Sequence, residues 1–134
     1  MLARNEGKTA QELGITDIER EALVMVMNML RTGEIKFGAL SNPGPAKRIN
    51  MATWRMTDEC GTVACVGGWC QLLTSGKAFA YTYGGTMVHV GDYQLQRLFF
   101  PPRPKHQKAN AIANAIESFL MTGQTKWEKY HAGD

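Results

Sequence analysis

The amino-acid sequence predicts a mainly α-helical protein, a single compact domain with one β-hairpin (an α+β fold). Three observations support this prediction: two helix-capping motifs near the N-terminus, an apolar stripe at helical spacing near the C-terminus, and two alternating segments that flank a Gly-Gly pair. The chain has 134 residues, 44% of them hydrophobic, so one domain spanning residues 1–134 can bury a core without a metal or a disulfide.

Two capping boxes open the predicted N-terminal helices. Each has the form Thr-x-x-Glu, at Thr9–Glu12 and at Thr16–Glu19, and Gly14 and Gly33 are suitable helix terminators. Residues 11–16 also resemble the turn of a helix-turn-helix motif, but the helix that follows is apolar where a DNA-reading helix needs polar side chains. Instead, the apolar residues of that helix share one face: Ile18, Ala22, Met25, Val26, Met29 and Leu30.

The middle of the sequence is an uncharged stretch, residues 60–76, that holds all three cysteines. In a chain with 20% charged residues, this gap predicts an interior segment. We expect a helix from Thr62 to Leu73, with Gly76 as its terminator. The preceding residues 34–58 are predicted to form an irregular connection, because the proline-containing run 41–45 fits neither a helix nor a central strand.

The second half of the sequence predicts the hairpin and two further helices. Phe79–Tyr83 and Thr86–Val90 alternate around a Gly-Gly pair, which is typical of a two-residue hairpin. Asp92 can cap a short helix that the prolines at 101 and 102 stop. The last helix is expected from about Gln107 to Met121, with a glycine two residues beyond it.

The formal net charge of +3 is unevenly distributed. Residues 1–35 hold four bases and six acids, net −2, whereas residues 36–134 hold eleven bases and six acids, net +5. This balance excludes a DNA mimic and falls short of the dense basic face of a dedicated nucleic-acid-binding protein. Neither a signal peptide nor a membrane-spanning segment is predicted, so we expect a cytoplasmic protein with reduced thiols and no contact with a membrane.

The cysteine spacing does not predict a metal site. Cys60, Cys65 and Cys70 are five residues apart, whereas zinc sites use pairs two to four residues apart. On one helix Cys65 and Cys70 would point about 140° apart. We therefore expect no metal and no cofactor.

Nucleophilic catalysis remains a possible use of the cysteines. Cys60 and Cys65 lie near the start of the predicted central helix, where the helix dipole favours the thiolate. The order of a Cys-Gly helix start followed by a strand with a histidine, here His89, is the order found in papain-like cysteine hydrolases, and Asp92 or Asn110 could orient that histidine. The competing interpretation is that the cysteines are small buried apolar residues.

Basic residues in two segments indicate a contact surface. Lys47, Arg48 and Arg55 lie in the 36–58 loop, with Trp54 beside them. The proline-rich connector from Pro101 to Lys108 adds three more bases: Arg103, Lys105 and Lys108. If the fold brings these segments together, they could bind a protein partner or, with Trp54 stacking on bases, a nucleic acid. Ordinary solvation of a surface is the alternative.

Several motifs resemble a signature of small bacterial and phage proteins that have no established activity. The core of the resemblance is Cys-Gly-Thr-x-x-Cys-x-x-Gly-Trp, here residues 60–69, and Cys70 departs from the family pattern. The flanking matches are Met51–Trp54, Leu98–Pro101, Ala113–Ile116, Phe119–Gly123 and Trp127. The resemblance covers roughly residues 51–127 and implies a phage-like origin. It further implies an accessory or anti-defence role, exercised by stoichiometric binding to one host protein.

Three functions therefore follow from the sequence. The first is protein–protein binding as an inhibitor or regulator, through the 36–58 loop and the basic connector. The second is a hydrolase or transferase that uses Cys60 or Cys65 with His89. The third, which has less support, is nucleic-acid binding through the basic loop surface, with a steep dependence on salt.

Overall fold

The computed structural model describes residues 7–37, 47–49, 55–58, 61–79, 97–98 and 108–127, with residues 37, 55–58 and 61–64 described as backbone only. Helices dominate these ranges: α1 (Ala10–Leu13), α2 (Asp17–Thr32), α3 (Val66–Leu73) and α4 (Ala109–Thr122). Arg97 and Leu98 are also helical. The prediction of a mainly helical protein is confirmed.

Short strands in the described ranges form a four-stranded sheet: β1 (Lys36–Phe37), β2 (Lys47–Ile49), β3 (Arg55–Asp58) and β4 (Gly61–Ala64). The order is β1-β2-β4-β3, with β2 parallel to both of its neighbours and β3 antiparallel to β4. Strand β2 is therefore internal, and its Ile49 is completely buried. Residues 55–58 and 61–64 pair so that Asp58 lies opposite Gly61.

Both predicted capping boxes are present. In α1 the Thr9 hydroxyl accepts from the Glu12 N–H, and the Glu12 carboxylate accepts from the Thr9 N–H. Thr16 and Glu19 make the same reciprocal pair at the start of α2. Three of the predicted terminators are also confirmed, since the glycines after α1, α2 and α4 have φ of 75°, 82° and 78°. Only glycine adopts this left-handed backbone readily. The fourth, Gly76, is not the C-cap of α3, which is Thr74, two residues earlier.

Helices α2 and α4 pack against each other and supply the largest share of the core. Leu23 and Met27 of α2 and Ile116 and Phe119 of α4 are at most 1% exposed. Helix α3 joins this core through Val66 and Trp69, and through Cys70. Because α2 contacts both α3 and α4, one side of α2 is fully committed to the interior.

The expected start of the central helix is wrong. Residues 61–64 form β4, and α3 begins at Val66 with Cys65 as its N-cap. Thr62 and Val63 pair with β2 on one side and β3 on the other, and β-branched residues are well suited to such a position. Sheet pairing with distant residues therefore overrides the local N-cap signal of Thr62. The predicted end at Leu73 is confirmed. The predicted interior position of the uncharged stretch 60–76 is confirmed for residues 65–70, whereas residues 71–74 are half-buried and Ser75 and Gly76 are exposed.

The expectation of an irregular connection over residues 34–58 is also wrong for the described part. This range supplies β1, β2 and β3. These strands have two to four residues, which is too short for an alternating pattern to stand out in the sequence. Of the hairpin predicted from Phe79 to Val90, only Phe79 is described, and it lies in a turn with a φ of 56°, so the predicted strand does not begin there. Residues 80–90 and the residues around Asp92 lie outside the described ranges.

The apolar face of α2 is wider than the core that it covers. Ile18 and Met25 were placed by spacing on the apolar face, yet they are 45% and 44% exposed. Leu23, Val24 and Met27, on the other side of the helix, are completely or almost completely buried. The buried side of α2 therefore does not coincide with the apolar face that the sequence spacing predicts. Part of that face is exposed to solvent.

Candidate functional site

The structure describes two cysteines, Cys65 at the N-cap of α3 and Cys70 in its second turn. Cys65 is the N-cap, with an extended backbone, and its side chain is 6% exposed and does not cap the helix. A thiol at this position lies at the positive end of the helix dipole. Cys60 and His89, the other residues of the predicted catalytic set, lie outside the described ranges. The structure therefore describes Cys65 alone of this set, at the start of a helix.

Cys70 is a completely buried thiol on the next turn of α3. Burial raises the pKa of this thiol well above its ordinary value, and the nearby Cys65 and Glu19 raise it further. A thiol that stays protonated is a poor nucleophile and a poor metal ligand. Cys70 therefore acts as a small apolar core residue.

The buried position of Cys70 predicts a pH dependence of stability. The unfolded thiol ionises near its ordinary value of ~8.5, whereas the folded thiol stays protonated to a higher pH. Above ~8.5 the unfolded state binds fewer protons, so stability present at lower pH is lost as the pH rises toward the folded pKa. We expect the free energy of unfolding to fall by up to about 1.4 kcal/mol per pH unit more in wild type than in Cys70→Ala. Urea unfolding of both proteins at pH 7 and at pH 10 measures this difference. If the free energy of unfolding changed equally with pH in wild type and in Cys70→Ala, the prediction would be contradicted.

A buried carboxylate joins α2 to the segment after α3. Glu19 is 1% exposed, and its Oε1 accepts from the Thr16 N–H while its Oε2 accepts from the Phe79 N–H at 2.8 Å. Phe79 is completely buried and has a φ of 56°. Since both carboxylate oxygens accept hydrogen bonds from the protein backbone, Glu19 is built as a structural anchor and not as a general base.

The structure separates the predicted basic residues. Lys47 is exposed and lies 3.2 Å from a carboxylate oxygen of Glu34, whereas Arg48 is completely buried and so cannot belong to an exposed contact surface. The carbonyl of Arg48 accepts from the indole N–H of Trp69 at 2.8 Å, which fixes β2 to α3. Lys108 is exposed at the N-cap of α4. Trp54, Arg103 and Lys105 lie outside the described ranges, and Arg55 is described as backbone only.

The feature that the sequence interpretation missed is a side of α2 that is exposed at some positions and half-buried at others, which we call the α2 face. At 100° per residue its members fall within an arc of about 120°. None of them is fully buried, and they are Asp17, Ile18, Glu21, Met25, Asn28, Met29 and Thr32. Three of the seven are apolar and the two charged members are both acids. A count of apolar residues around the helix would have shown a stripe too wide for one buried side.

An open cleft of about 370 Å³ adjoins the acidic edge of the α2 face. Its lining comes from the segment 7–10 and from three residues of α2, Asp17, Arg20 and Glu21. The Nε of Arg20 donates to the carbonyl of Lys8 at 2.7 Å and thereby holds the segment against α2. Asp17 and Glu21 belong both to the cleft and to the α2 face, so the two surfaces are continuous.

Asn28, near the middle of the α2 face, carries a buried side-chain oxygen, Oδ1, that has no hydrogen-bond partner in the described part of the chain. We expect Asn28→Leu to raise the free energy of unfolding by about 1 kcal/mol, because it removes an unsatisfied acceptor and adds a better helix former. Urea unfolding tests this, with the exposed Asn110→Leu as the control for helix propensity. A destabilised Asn28→Leu would show that the amide makes a contact that the fold needs.

None of the described helices has the length and apolar character to cross a membrane. Comparisons of the chain with protein-family models, curated proteins and solved structures find no match.

Proposed function

We propose that the protein acts by binding another protein stoichiometrically, without catalysing a reaction on it. The observation that carries this proposal is the exposure of Ile18 and Met25, 45% and 44%, on one face of a helix whose other side is built into the core. Contiguous exposed apolar patches mark contact surfaces on soluble proteins, and Ile18 and Met25 lie two turns apart on the same side of α2. Methionine is well suited to such a surface because its flexible thioether adapts to different partners.

The sharper form of the proposal is a phage-type accessory protein of the cytoplasm that inhibits or regulates a host protein, for example one used in defence. The resemblance of residues 60–69 to the Cys-Gly-Thr signature supports this form. The odd number of cysteines, with Cys65 and Cys70 as buried thiols, is compatible with a reducing compartment.

Affinity capture with the full chain, followed by reconstitution from two purified components, tests the proposal. We expect a complex of fixed ratio, measured by size-exclusion chromatography with light scattering. If no captured protein forms a complex again after purification, the proposal fails. A Lys47→Glu, Arg103→Glu, Lys105→Glu variant tests the basic surface that the sequence indicates. Unchanged affinity would exclude that surface but not the proposed function.

A cysteine-dependent hydrolase or transferase is the second candidate, favoured by one observation. Cys65 occupies the N-cap of α3, where the helix dipole and backbone N–H groups favour a thiolate. Iodoacetamide labelling near pH 6 separates the two functions, since an activated thiol reacts far below the ~8.5 pKa of ordinary cysteine. We expect no cysteine of the native protein to label faster than a cysteine in a short peptide. Faster labelling that His89→Ala abolishes would favour the enzyme.

A further inference from the structure

We propose that Met121 is an oxidation site whose sulfoxide releases residues 7–9, which we call the strap, from the end of α4. The strap leads into α1 and forms one wall of the open cleft. This redox control is additional to the proposed function, because it acts within the chain and needs no partner.

Lys8 holds the strap in place through both of its backbone polar groups. Its N–H donates to the carbonyl of Leu120 at 2.8 Å, and its own carbonyl accepts from Nε of Arg20 at 2.7 Å. The carbonyl of Leu120 is one of the last four of α4, which lack donors within the helix. The strap therefore caps α4 from outside, and the amide of Lys8 reports whether the strap is attached.

The thioether of Met121 lies directly against the strap. Gly7 has a φ of 83°, and a Cβ placed on it would lie 3.0 Å from Sδ of Met121 and 2.6 Å from the carbonyl oxygen of Leu120. Both distances are shorter than ordinary van der Waals contacts, so no further heavy atom fits between the strap and the end of α4. Met121 is nevertheless 38% exposed, so a small oxidant can reach it.

Oxidation places an oxygen atom on this sulfur. A lone pair of Sδ attacks one oxygen of hydrogen peroxide, and the S–O bond forms as the O–O bond breaks. The hydroxyl proton moves to the departing hydroxide, which leaves as water, so the sulfur loses the two electrons that the peroxide gains. A flexible apolar thioether thereby becomes a larger, polar sulfoxide. Because the sulfoxide replaces an apolar contact beside Gly7 and attracts water there, we expect the strap to detach.

Peptide mapping by mass spectrometry after treatment with dilute hydrogen peroxide tests the first step. We expect Met121 to be oxidised together with Met25, which is similarly exposed, and long before Met27, which is completely buried. If Met121 stays reduced after Met25 has reacted, the proposal fails.

Hydrogen exchange of the Lys8 amide, followed by NMR on the full chain, tests the second step. We expect exchange at least about tenfold faster after oxidation, since the bond to Leu120 no longer protects the amide. Methionine sulfoxide reductases should restore slow exchange. Unchanged exchange in a chain that carries the sulfoxide at Met121 would overturn the proposal.

Met121→Leu is the matched control, because leucine keeps an apolar side chain of similar volume and has no sulfur. Peroxide should change exchange at Lys8 in this variant by less than about twofold, although Met25 is still oxidised. Equal acceleration in Met121→Leu and wild type would assign the effect to another methionine and overturn the proposal.

Gly7→Ala imitates the released state without an oxidant. Its Cβ does not fit beside the carbonyl of Leu120, so exchange at Lys8 should be fast in the reduced variant. Exchange as slow as in wild type would show that the strap tolerates an added atom, which would remove the basis of the proposal.

The amide of Trp69 in α3 separates release of the strap from unfolding of the chain. This amide donates to the carbonyl of Cys65 at 2.9 Å, and its exchange should be the same before and after oxidation. If oxidation accelerates exchange at Trp69 as much as at Lys8, the sulfoxide destabilises the whole fold and does not control the strap.

Discussion

Glu19→Ala should lower the free energy of unfolding by about 3–5 kcal/mol, because two backbone donors lose a charged acceptor at once. The buried N–H of Phe79 donates to Oε2 of Glu19 at 2.8 Å, and the N–H of Thr16 donates to Oε1 at 2.9 Å. Hydrogen bonds to a charged acceptor contribute about 1.5–3 kcal/mol each, and a buried donor left unsatisfied costs at the upper end of that range. Urea unfolding monitored by circular dichroism measures the loss.

The chain supplies its own matched control in the capping box of α1. Glu12 makes the same reciprocal bonds with Thr9, but its side chain is exposed to water, so Glu12→Ala should destabilise much less. Glu19→Gln should remain strongly destabilised, since an amide has one acceptor oxygen and Glu19 uses two. Similar losses for Glu12→Ala and Glu19→Ala would mean that the bond to Phe79 contributes little.

The pair of capping boxes also shows what the sequence could predict. Thr-x-x-Glu places a helix start at both sites, and the structure confirms both. The two motifs are locally identical, so nothing within them shows that one glutamate is buried and anchors a residue sixty positions away. Helix ends, capping and amphipathic stripes depend on neighbours within a few positions, which is why sequence patterns predict them well.

Sheet pairing and burial direction depend on distant residues and were less predictable. Thr62 has the form of an N-cap, yet pairing of β4 with β2 and β3 draws it into a strand. Arg48 has the form of a surface base, yet it is completely buried in an internal strand. The spacing of Ile18 and Met25 places them on one face of α2. Which face of α2 is buried depends on its packing against α3 and α4.

The contrast between local patterns and long-range packing explains why the sequence predicts a candidate site in loops, whereas the structure places it on a helix. The sequence drew attention to bases and cysteines, the residue types that carry chemistry. In the structure Cys70 and Arg48 are interior groups, whereas ordinary apolar residues such as Met25 are left in solvent. An exposed methionine has no sequence signature of its own, because the same spacing describes a core residue. The packing of its neighbours decides between these two positions.

Phe79→Ala should lower the free energy of unfolding by about 3–5 kcal/mol, the range for removing a buried aromatic side chain, and Phe79→Gly should be the less damaging of the two. Phe79 is completely buried with a φ of 56°, in the left-handed region that glycine adopts without strain. Alanine keeps the strain and loses the ring, whereas glycine loses the ring and relieves the strain. We expect Phe79→Gly to be more stable than Phe79→Ala by about 1 kcal/mol.

Phe119 of α4 is the matched control: there the stability difference between the alanine and the glycine variant should have the opposite sign. It is 1% exposed, so its replacement by alanine should cost as much, but its backbone is helical. There glycine should be less stable than alanine by about 1 kcal/mol. Urea unfolding of the four variants tests this reversal directly. If glycine is the worse substitution at both positions, the left-handed backbone at residue 79 stores no strain. The Glu19 bond would then hold a relaxed segment against α2 and not a strained one.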